Sequence, residues 1–161
     1  MSTTNLLDAL RIVIENERLA SDSYAKAALL ITNPGAKQLF EELSKFEQFH
    51  FEQLSALETS LDETGDFFNY EGKEFPTPPI FEIKAAQEPN MKSVMKIISE
   101  AMGLEKEAEQ EYANLALQAE DPQSYEMFRK ISAEENIHWR ILLDAYWTLT
   151  NLGTWTWSSP Y

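Results

Sequence analysis

The feature that most constrains this chain is an internal repeat, in which the first half recurs in the second at a fixed offset of 88 residues. Six residue pairs share the offset without a gap; they are Glu17 and Glu105, Tyr24 and Tyr112, Pro34 and Pro122, Phe40 and Phe128, Glu47 and Glu135, and His50 and His138. Two unrelated helical hairpins could share apolar residues and prolines, but not polar residues in the same register of an apolar stripe. The repeat therefore predicts two copies of one structural unit.

Each copy is predicted to be an antiparallel pair of long helices. Apolar residues recur at alternating steps of three and four, which is the period of helices packed in a bundle. The pattern predicts helices at about 5–32, 35–62, 90–120 and 122–150. Asn33 and Asp121 each precede a proline and are suited to cap the next helix. The predicted fold class is all-α, a four-helix bundle of two antiparallel hairpins within a single domain, 1–161.

The connection between the hairpins, residues 63–89, has no helical period and contains a cluster of prolines. We expect a crossover that runs along the bundle and is held to its surface by aromatic side chains, namely Phe67, Phe68, Phe75 and Phe81. The tail, residues 151–161, contains Trp155 and Trp157. These tryptophans are expected to pack on the bundle or on a second subunit.

The composition excludes several classes of protein. A formal net charge of −14 and a pI near 4.5 argue against nucleic-acid binding and favour the attraction of cations. The chain has no cysteine, which excludes disulfides, thiol catalysis, iron–sulfur clusters and cysteine zinc sites. No stretch approaches the roughly 18 uncharged apolar residues of a membrane helix, and Asp8 and Arg11 interrupt the first apolar run, unlike a signal peptide. A cytoplasmic protein without membrane or nucleic-acid partners is expected.

Polar residues interrupt the apolar stripe of every helix near its middle. They are Glu17, Glu47, His50, Glu105, Glu135 and His138. A buried carboxylate without a partner costs several kcal/mol or becomes protonated, and two histidines cannot neutralise four carboxylates. We therefore expect metal cations among these side chains. The alternative is that the Glu-x-x-His pairs lie on solvated helix surfaces.

The spacing of these residues supports a metal site. Residues three apart on a helix share one face, so each Glu-x-x-His can present a carboxylate and an imidazole to the same ion. A set rich in carboxylates suits iron or manganese. We expect Glu47 and Glu135 to bridge two metals, Glu17 and Glu105 to be terminal ligands, and each metal to take one histidine. Tyr24 and Tyr112 lie on the same stripes and are expected either to hydrogen-bond a ligand carboxylate or to be core aromatics.

This pattern resembles the ferritin-like di-iron carboxylate proteins and, within them, the rubrerythrins. The repeated E…Y and E-x-x-H motifs cover residues from about 5 to 149, and the stretch ENERLASDSYAKAA is similar to the first rubrerythrin helix. The resemblance implies a ferritin-like bundle that holds two iron ions and reacts with hydrogen peroxide or oxygen as a peroxidase or ferroxidase. It also implies a homodimer.

Two departures from rubrerythrins bear on the activity. Rubrerythrins proper carry a four-cysteine iron module, so in this cysteine-free chain the electrons are expected from a separate donor or from Fe²⁺ itself. Many rubrerythrins also have an extra glutamate one turn after the helix-3 ligand, where this chain has Ala108, while the adjacent Glu109 should point off the stripe. The alternatives are iron binding or storage, a dimanganese catalase, a hydroxylase with an apolar cavity beside the metals, and a metal-free interaction module.

Overall fold

The computed structural model describes residues 2–77, 88–155 and 157. Within these residues the chain forms four helices, α1 (Thr3–Leu30), α2 (Pro34–Glu63), α3 (Met91–Gln118) and α4 (Pro122–Leu152), and no β-strand. The prediction of an all-α bundle of two hairpins is confirmed, with α1 packed along α2 and α3 along α4. None of the helices described is sufficiently long and apolar to cross a membrane.

The two hairpin turns are built alike. Asn33 accepts a hydrogen bond from the amide of Ala36 at 3.0 Å, and Asp121 accepts from the amides of Gln123 and Ser124. Each cap satisfies amide groups that the first turn of a helix leaves unpaired. Both α2 and α4 begin at a proline. Proline has no amide hydrogen, and the first residue of a helix has no partner within the helix for one.

The repeat also extends to a hydrogen bond between the two helices of each hairpin. The Ser44 hydroxyl donates to the carbonyl oxygen of Ser21 at 2.8 Å, and the Ser132 hydroxyl donates to the carbonyl oxygen of Glu109 at 2.9 Å. Both donor and acceptor positions differ by the same 88 residues. Backbone approach is close within each hairpin and sparse between the hairpins. The centre of the bundle therefore depends on side chains.

The buried core has two apolar clusters with a polar layer between them. One cluster includes Phe40, Leu43, Ile98, Leu142 and Leu149. The other includes Leu10, Leu54, Leu57, Phe128 and Ile131. Full burial of each such side chain contributes about 1.5–3 kcal/mol to the stability of the fold. The apolar packing on both sides thus offsets the cost of the charged layer between them.

The crossover and the tail both pack on the bundle. In the crossover Tyr70 and Phe75 are buried, and Phe67 and Phe68 are half-buried against the core, whereas Phe81 lies outside the described residues. Trp155 and Trp157 of the tail are buried in the first apolar cluster. The Trp155 indole donates to Glu88 at 3.0 Å. Of the two predicted arrangements of these tryptophans, the structure shows packing on the bundle of the same chain.

Candidate metal centre

The six residues that interrupt the apolar stripes meet in the polar layer. Helices α1 and α3 each supply one carboxylate, and α2 and α4 each supply a Glu-x-x-His pair; the residues are Glu17, Glu105, Glu47, His50, Glu135 and His138. All six are buried, with at most 4% of each residue exposed. The alternative that these pairs lie on solvated helix surfaces is therefore wrong.

The donor atoms form two groups that overlap. Glu17, Glu47, His50 and Glu135 place one ligand atom each within 4.8 Å of one another. A second group at the same spacing consists of Glu47, Glu105, Glu135 and His138. Glu47 and Glu135 belong to both groups, so these two carboxylates lie between the groups and can face either one.

Both imidazole rings turn the same nitrogen toward the shared carboxylates. The Nδ1 atom of His50 lies 3.1 Å from an oxygen of Glu47 and 3.1 Å from an oxygen of Glu135. The Nδ1 atom of His138 lies 2.8 Å from Glu47 and 3.2 Å from Glu135. Nδ1 is therefore the nitrogen of each histidine that is available to a cation in this layer.

The residues fit a pair of metal ions. Among the described residues Glu135 accepts no well-aligned hydrogen bond although it is almost completely buried; the imidazole nitrogens 3.1 and 3.2 Å away are the atoms nearest to its oxygens that could donate. A buried carboxylate without donors is costly unless a positive charge lies against it. Four carboxylates and two imidazoles are a donor set suited to iron or manganese, and softer metals prefer more nitrogen or sulfur.

The pKa values of the cluster reflect its crowding. Burial, with repulsion between carboxylates, raises the pKa of Glu47 to about 7 and that of Glu135 well above its usual range. Burial would also raise the pKa of Glu17, but hydrogen bonding and charge from His50 outweigh it and lower the value to about 2. Burial opposes charge on His50 and His138, but the surrounding carboxylates raise the pKa of both. Without metal the layer thus retains protons that a cation would displace.

Two tyrosines hydrogen-bond the carboxylates of α1 and α3 across the hairpins. The hydroxyl of Tyr24 donates to Glu105, and that of Tyr112 donates to Glu17. Burial, reinforced by neighbouring carboxylates, raises the pKa of both tyrosines well above the usual value. Both hydroxyls therefore keep their proton and act as donors.

The position of the extra rubrerythrin glutamate carries no carboxylate here. Ala108 lines the space between α1 and α3. The adjacent Glu109 points away from the cluster, where it pairs with Lys106 at 2.8 Å and accepts from Asn136 at 3.2 Å. The donor set consequently lacks the seventh ligand residue that the resemblance implies for many rubrerythrins.

A family model for rubrerythrin matches residues 63–149, which is more than half of the chain. The chain belongs to the rubrerythrin family. The predicted resemblance is thereby confirmed. The matched region contains α3 and α4 as far as residue 149, and with them Glu105, Glu135 and His138.

A solved structure has the same fold. It is a hypothetical protein from Pyrococcus furiosus, which aligns with a TM-score of 0.68 over 91% of this chain and 90% of the other, at 22% identity. At that identity the likeness concerns the fold alone. No curated protein matches the chain significantly.

This member of the rubrerythrin family has a further buried carboxylate that sequence reasoning missed, Glu134. One of its oxygens lies 2.9 Å from Nε2 of His50 and also accepts from the Tyr70 hydroxyl at 2.7 Å. The other oxygen accepts from the backbone amide of Lys73 at 2.8 Å. Because Glu134 holds Nε2, it orients the ring so that Nδ1 faces the shared carboxylates, an arrangement that commonly supports metal-bound histidines.

The crossover contributes to this contact through its backbone. Gly72 has a φ of +79°, and a Cβ atom at this position would lie 2.8 Å from an oxygen of Glu134. Glycine adopts this conformation without strain, and any other residue here would also have to displace the Glu134 carboxylate. The segment Tyr70–Lys73 therefore closes over Glu134 and joins the crossover to the histidine side of the polar layer.

The second histidine of the site, His138, has a different environment. The residue equivalent to Glu134 in the repeat is Phe46, whose ring centroid lies 4.5 Å from that of His138. Phe75 lies 5.6 Å from the same ring, and Nε2 of His138 has no hydrogen-bond partner among the residues described. One imidazole is held by a carboxylate and the other by aromatic rings, so the two halves of the site are inequivalent.

Proposed function

We propose that the chain is a di-iron oxidoreductase of the rubrerythrin type, which reduces hydrogen peroxide or oxygen at a carboxylate-bridged pair of iron ions. The observation that carries this proposal is the sharing of Glu47 and Glu135 by two donor groups. Glu17 and His50 would complete the ligands of one iron. Glu105 and His138 would complete those of the other.

When bound, two Fe²⁺ ions supply the two electrons that convert one hydrogen peroxide and two protons into two water molecules. The chain would hold the ions between its helices, among ligand residues that are almost completely buried. Tyr24 and Tyr112 orient the terminal carboxylates by hydrogen bonds. Since the chain has no cysteine, the site would be re-reduced by a separate donor or by further Fe²⁺.

The first test is the metal content of the protein. Protein purified without chelators, and again after anaerobic Fe²⁺ loading, is expected to hold about two iron ions per chain by plasma mass spectrometry. The double variant Glu47→Ala/Glu135→Ala is expected to hold none, because both shared carboxylates are removed. A parent protein that takes up no metal in either preparation would overturn the proposal.

The stability of the two proteins gives an independent readout. A cation that binds only the folded state stabilises it, so metal should raise the free energy of unfolding of the parent but not of the variant. In metal-free protein the variant should have the higher free energy of unfolding, because removal of two crowded buried carboxylates relieves their repulsion. An equal response of both proteins to metal would place the ions elsewhere.

The reaction is distinguished by rapid mixing of Fe²⁺-loaded protein with peroxide or with oxygen. We expect peroxide to oxidise the iron faster than oxygen does. Faster oxidation by oxygen would indicate a ferroxidase. Native manganese with oxygen evolution from peroxide would instead indicate a dimanganese catalase.

A further inference from the structure

The two sides of the polar layer differ in how they are covered. On the histidine side lie Tyr70 and Phe75 of the crossover, with Trp157 of the tail 6.2 Å from Phe75 between ring centroids. On the opposite side, between α1 and α3, lies a cavity of about 490 Å³. Its lining includes the four glutamates of the layer but neither histidine. The candidate metal centre is therefore closed on one side and accessible on the other.

Most of the wall surface of this cavity is apolar. Nine of its 21 lining residues are alanine, valine, leucine or isoleucine from α1 and α3. Leu19, Leu30 and Leu104 lie at its outer rim and are about half exposed or more. Tyr24 and Tyr112 lie at its inner end, beside the carboxylates. The cavity thus leads from exposed leucines to the donor atoms.

We propose that this cavity binds an elongated apolar organic molecule that carries no negative charge and places it against the carboxylate layer. The inference deepens the proposed function and rests on it only for the metal ions beside the cavity, because the binding itself requires only the cavity.

The size and depth of the cavity favour a small molecule over a protein partner. Sites for organic ligands typically enclose about 300–1,000 Å³ and are lined mostly by apolar side chains with a few polar groups. A second copy of the chain could cover Leu19, Leu30 and Leu104 at the rim. It could not reach Glu17 or Glu105, which line the inner end and are only 4% exposed.

The charge of the lining decides which apolar molecules are suitable. Seven glutamates and one lysine, Lys26, line the cavity. Four of the glutamates belong to the polar layer, and the other three, Glu100, Glu107 and Glu111, remain near the opening when metal neutralises the layer. A carboxylate or phosphate on the ligand would meet this negative field. A neutral molecule would not be repelled, and a cationic one would be attracted.

The test uses the uncharged fluorescent dye 1-aminoanthracene, titrated into the full chain in the metal-free and Fe²⁺-loaded forms. Saturable binding of about one dye per chain is expected. The dye is then displaced with three probes of equal chain length, 1-decanol, decylamine and decanoate. Decanol and decylamine should displace it, and decanoate should be weaker by about tenfold or more because of the acidic lining.

Matched variants locate the binding. Ala20→Phe on α1 and Ala108→Phe on α3 fill the cavity and should weaken dye binding by about tenfold or more. Ala25→Phe, an exposed position of α1 outside the lining, should leave it unchanged. A second variant tests the charge without repacking the cavity. Glu107→Gln/Glu111→Gln removes two exposed charges and should reduce the difference in affinity between decanol and decanoate.

The outcomes separate this inference from the proposed function. Metal uptake without dye binding, or dye binding that is equal in Ala20→Phe and the parent, would overturn the cavity proposal and leave the metal site in place. Dye binding without metal uptake would overturn the proposed function alone. If sedimentation shows that the chains associate and the dye is bound only by monomers, the face is a subunit interface and the proposal is wrong.

Discussion

Tyr24 on α1 donates its hydroxyl hydrogen to Glu105 on α3, so a side chain of the first hairpin holds a carboxylate of the second. The relationship is reciprocal, because Tyr112 on α3 donates to Glu17 on α1. Both bonds lie in the buried layer, where hydrogen bonds to ionised groups are strong. They join the hairpins at the level where the backbones approach each other little.

Replacement of Tyr24 by phenylalanine should lower the free energy of unfolding of the metal-free protein by about 1.5–3 kcal/mol, since it removes a hydrogen bond to a buried charge. Urea unfolding followed by circular dichroism measures the change. Tyr125→Phe is the control, because Tyr125 is 43% exposed, and it should change the value by no more than about 0.5 kcal/mol. Equal effects of the two substitutions would contradict the assigned role of the Tyr24 hydroxyl.

Glu134→Ala should weaken one metal position and spare the other. The substitution removes the partner of His50 Nε2, and the loss of such a partner typically costs about 10–100-fold in metal affinity. Calorimetric titration with Mn²⁺ should therefore resolve two binding steps in the variant, one weakened and one close to the parent.

The control for that titration is Glu126→Ala, an exposed carboxylate of the same helix that pairs with Arg129. It should leave both binding steps unchanged. If Glu134→Ala weakens the binding of both metal ions equally, or of neither, the difference that the contacts of His50 and His138 indicate between the two halves of the site is contradicted.

Gly72→Ala should be more destabilising than Gly65→Ala. Both glycines have positive φ, at +79° and +77°, so both substitutions carry a backbone cost of about 1–2 kcal/mol. Only at position 72 would the new Cβ also meet Glu134, at 2.8 Å, whereas nothing lies within 4 Å at position 65. The difference in free energy of unfolding between the two variants measures the crossover contact, and a difference of zero would contradict it.

Metal binding should release protons and strengthen as the pH rises. In the metal-free protein the pKa of Glu47 is raised to about 7, and the pKa values of His50 and His138 are raised well above the usual range. These protons compete with the cation, so the apparent affinity should increase by about tenfold per pH unit for each proton displaced, between about pH 6 and pH 7. Calorimetry in buffers of different ionisation enthalpy counts the protons; no release would contradict the buried protonated layer.

The repeat explains why so much of the architecture could be predicted. Apolar stripes at helical spacing define the four helices, and Glu47 and His50 with their counterparts interrupt those stripes at core positions. The reciprocal bonds of Tyr24 and Tyr112 were one of two predicted arrangements. The residues that form these features recur at the helical period within their own helices, and the sequence alone displays that period.

The features that escaped prediction depend on tertiary packing. Glu134 has Phe46 as its counterpart, so a search for matched pairs passes over it. The adjacent glutamates Glu134 and Glu135 were the available signal, but the partners Tyr70 and Gly72 lie in a segment without periodicity. The cavity between α1 and α3 results from the separation of two helix faces, which no local pattern encodes.

The grouping of the helices has a consequence for how a newly made chain matures. Each hairpin joins helices that are neighbours in sequence, and such short-range pairings form early because little chain entropy is lost in closing them. The carboxylate layer needs side chains from all four helices, and Glu134 also needs the crossover. We expect this layer to be completed last, when the two hairpins dock. A bound cation should favour that step, because it offsets the repulsion between the carboxylates that the two hairpins bring together.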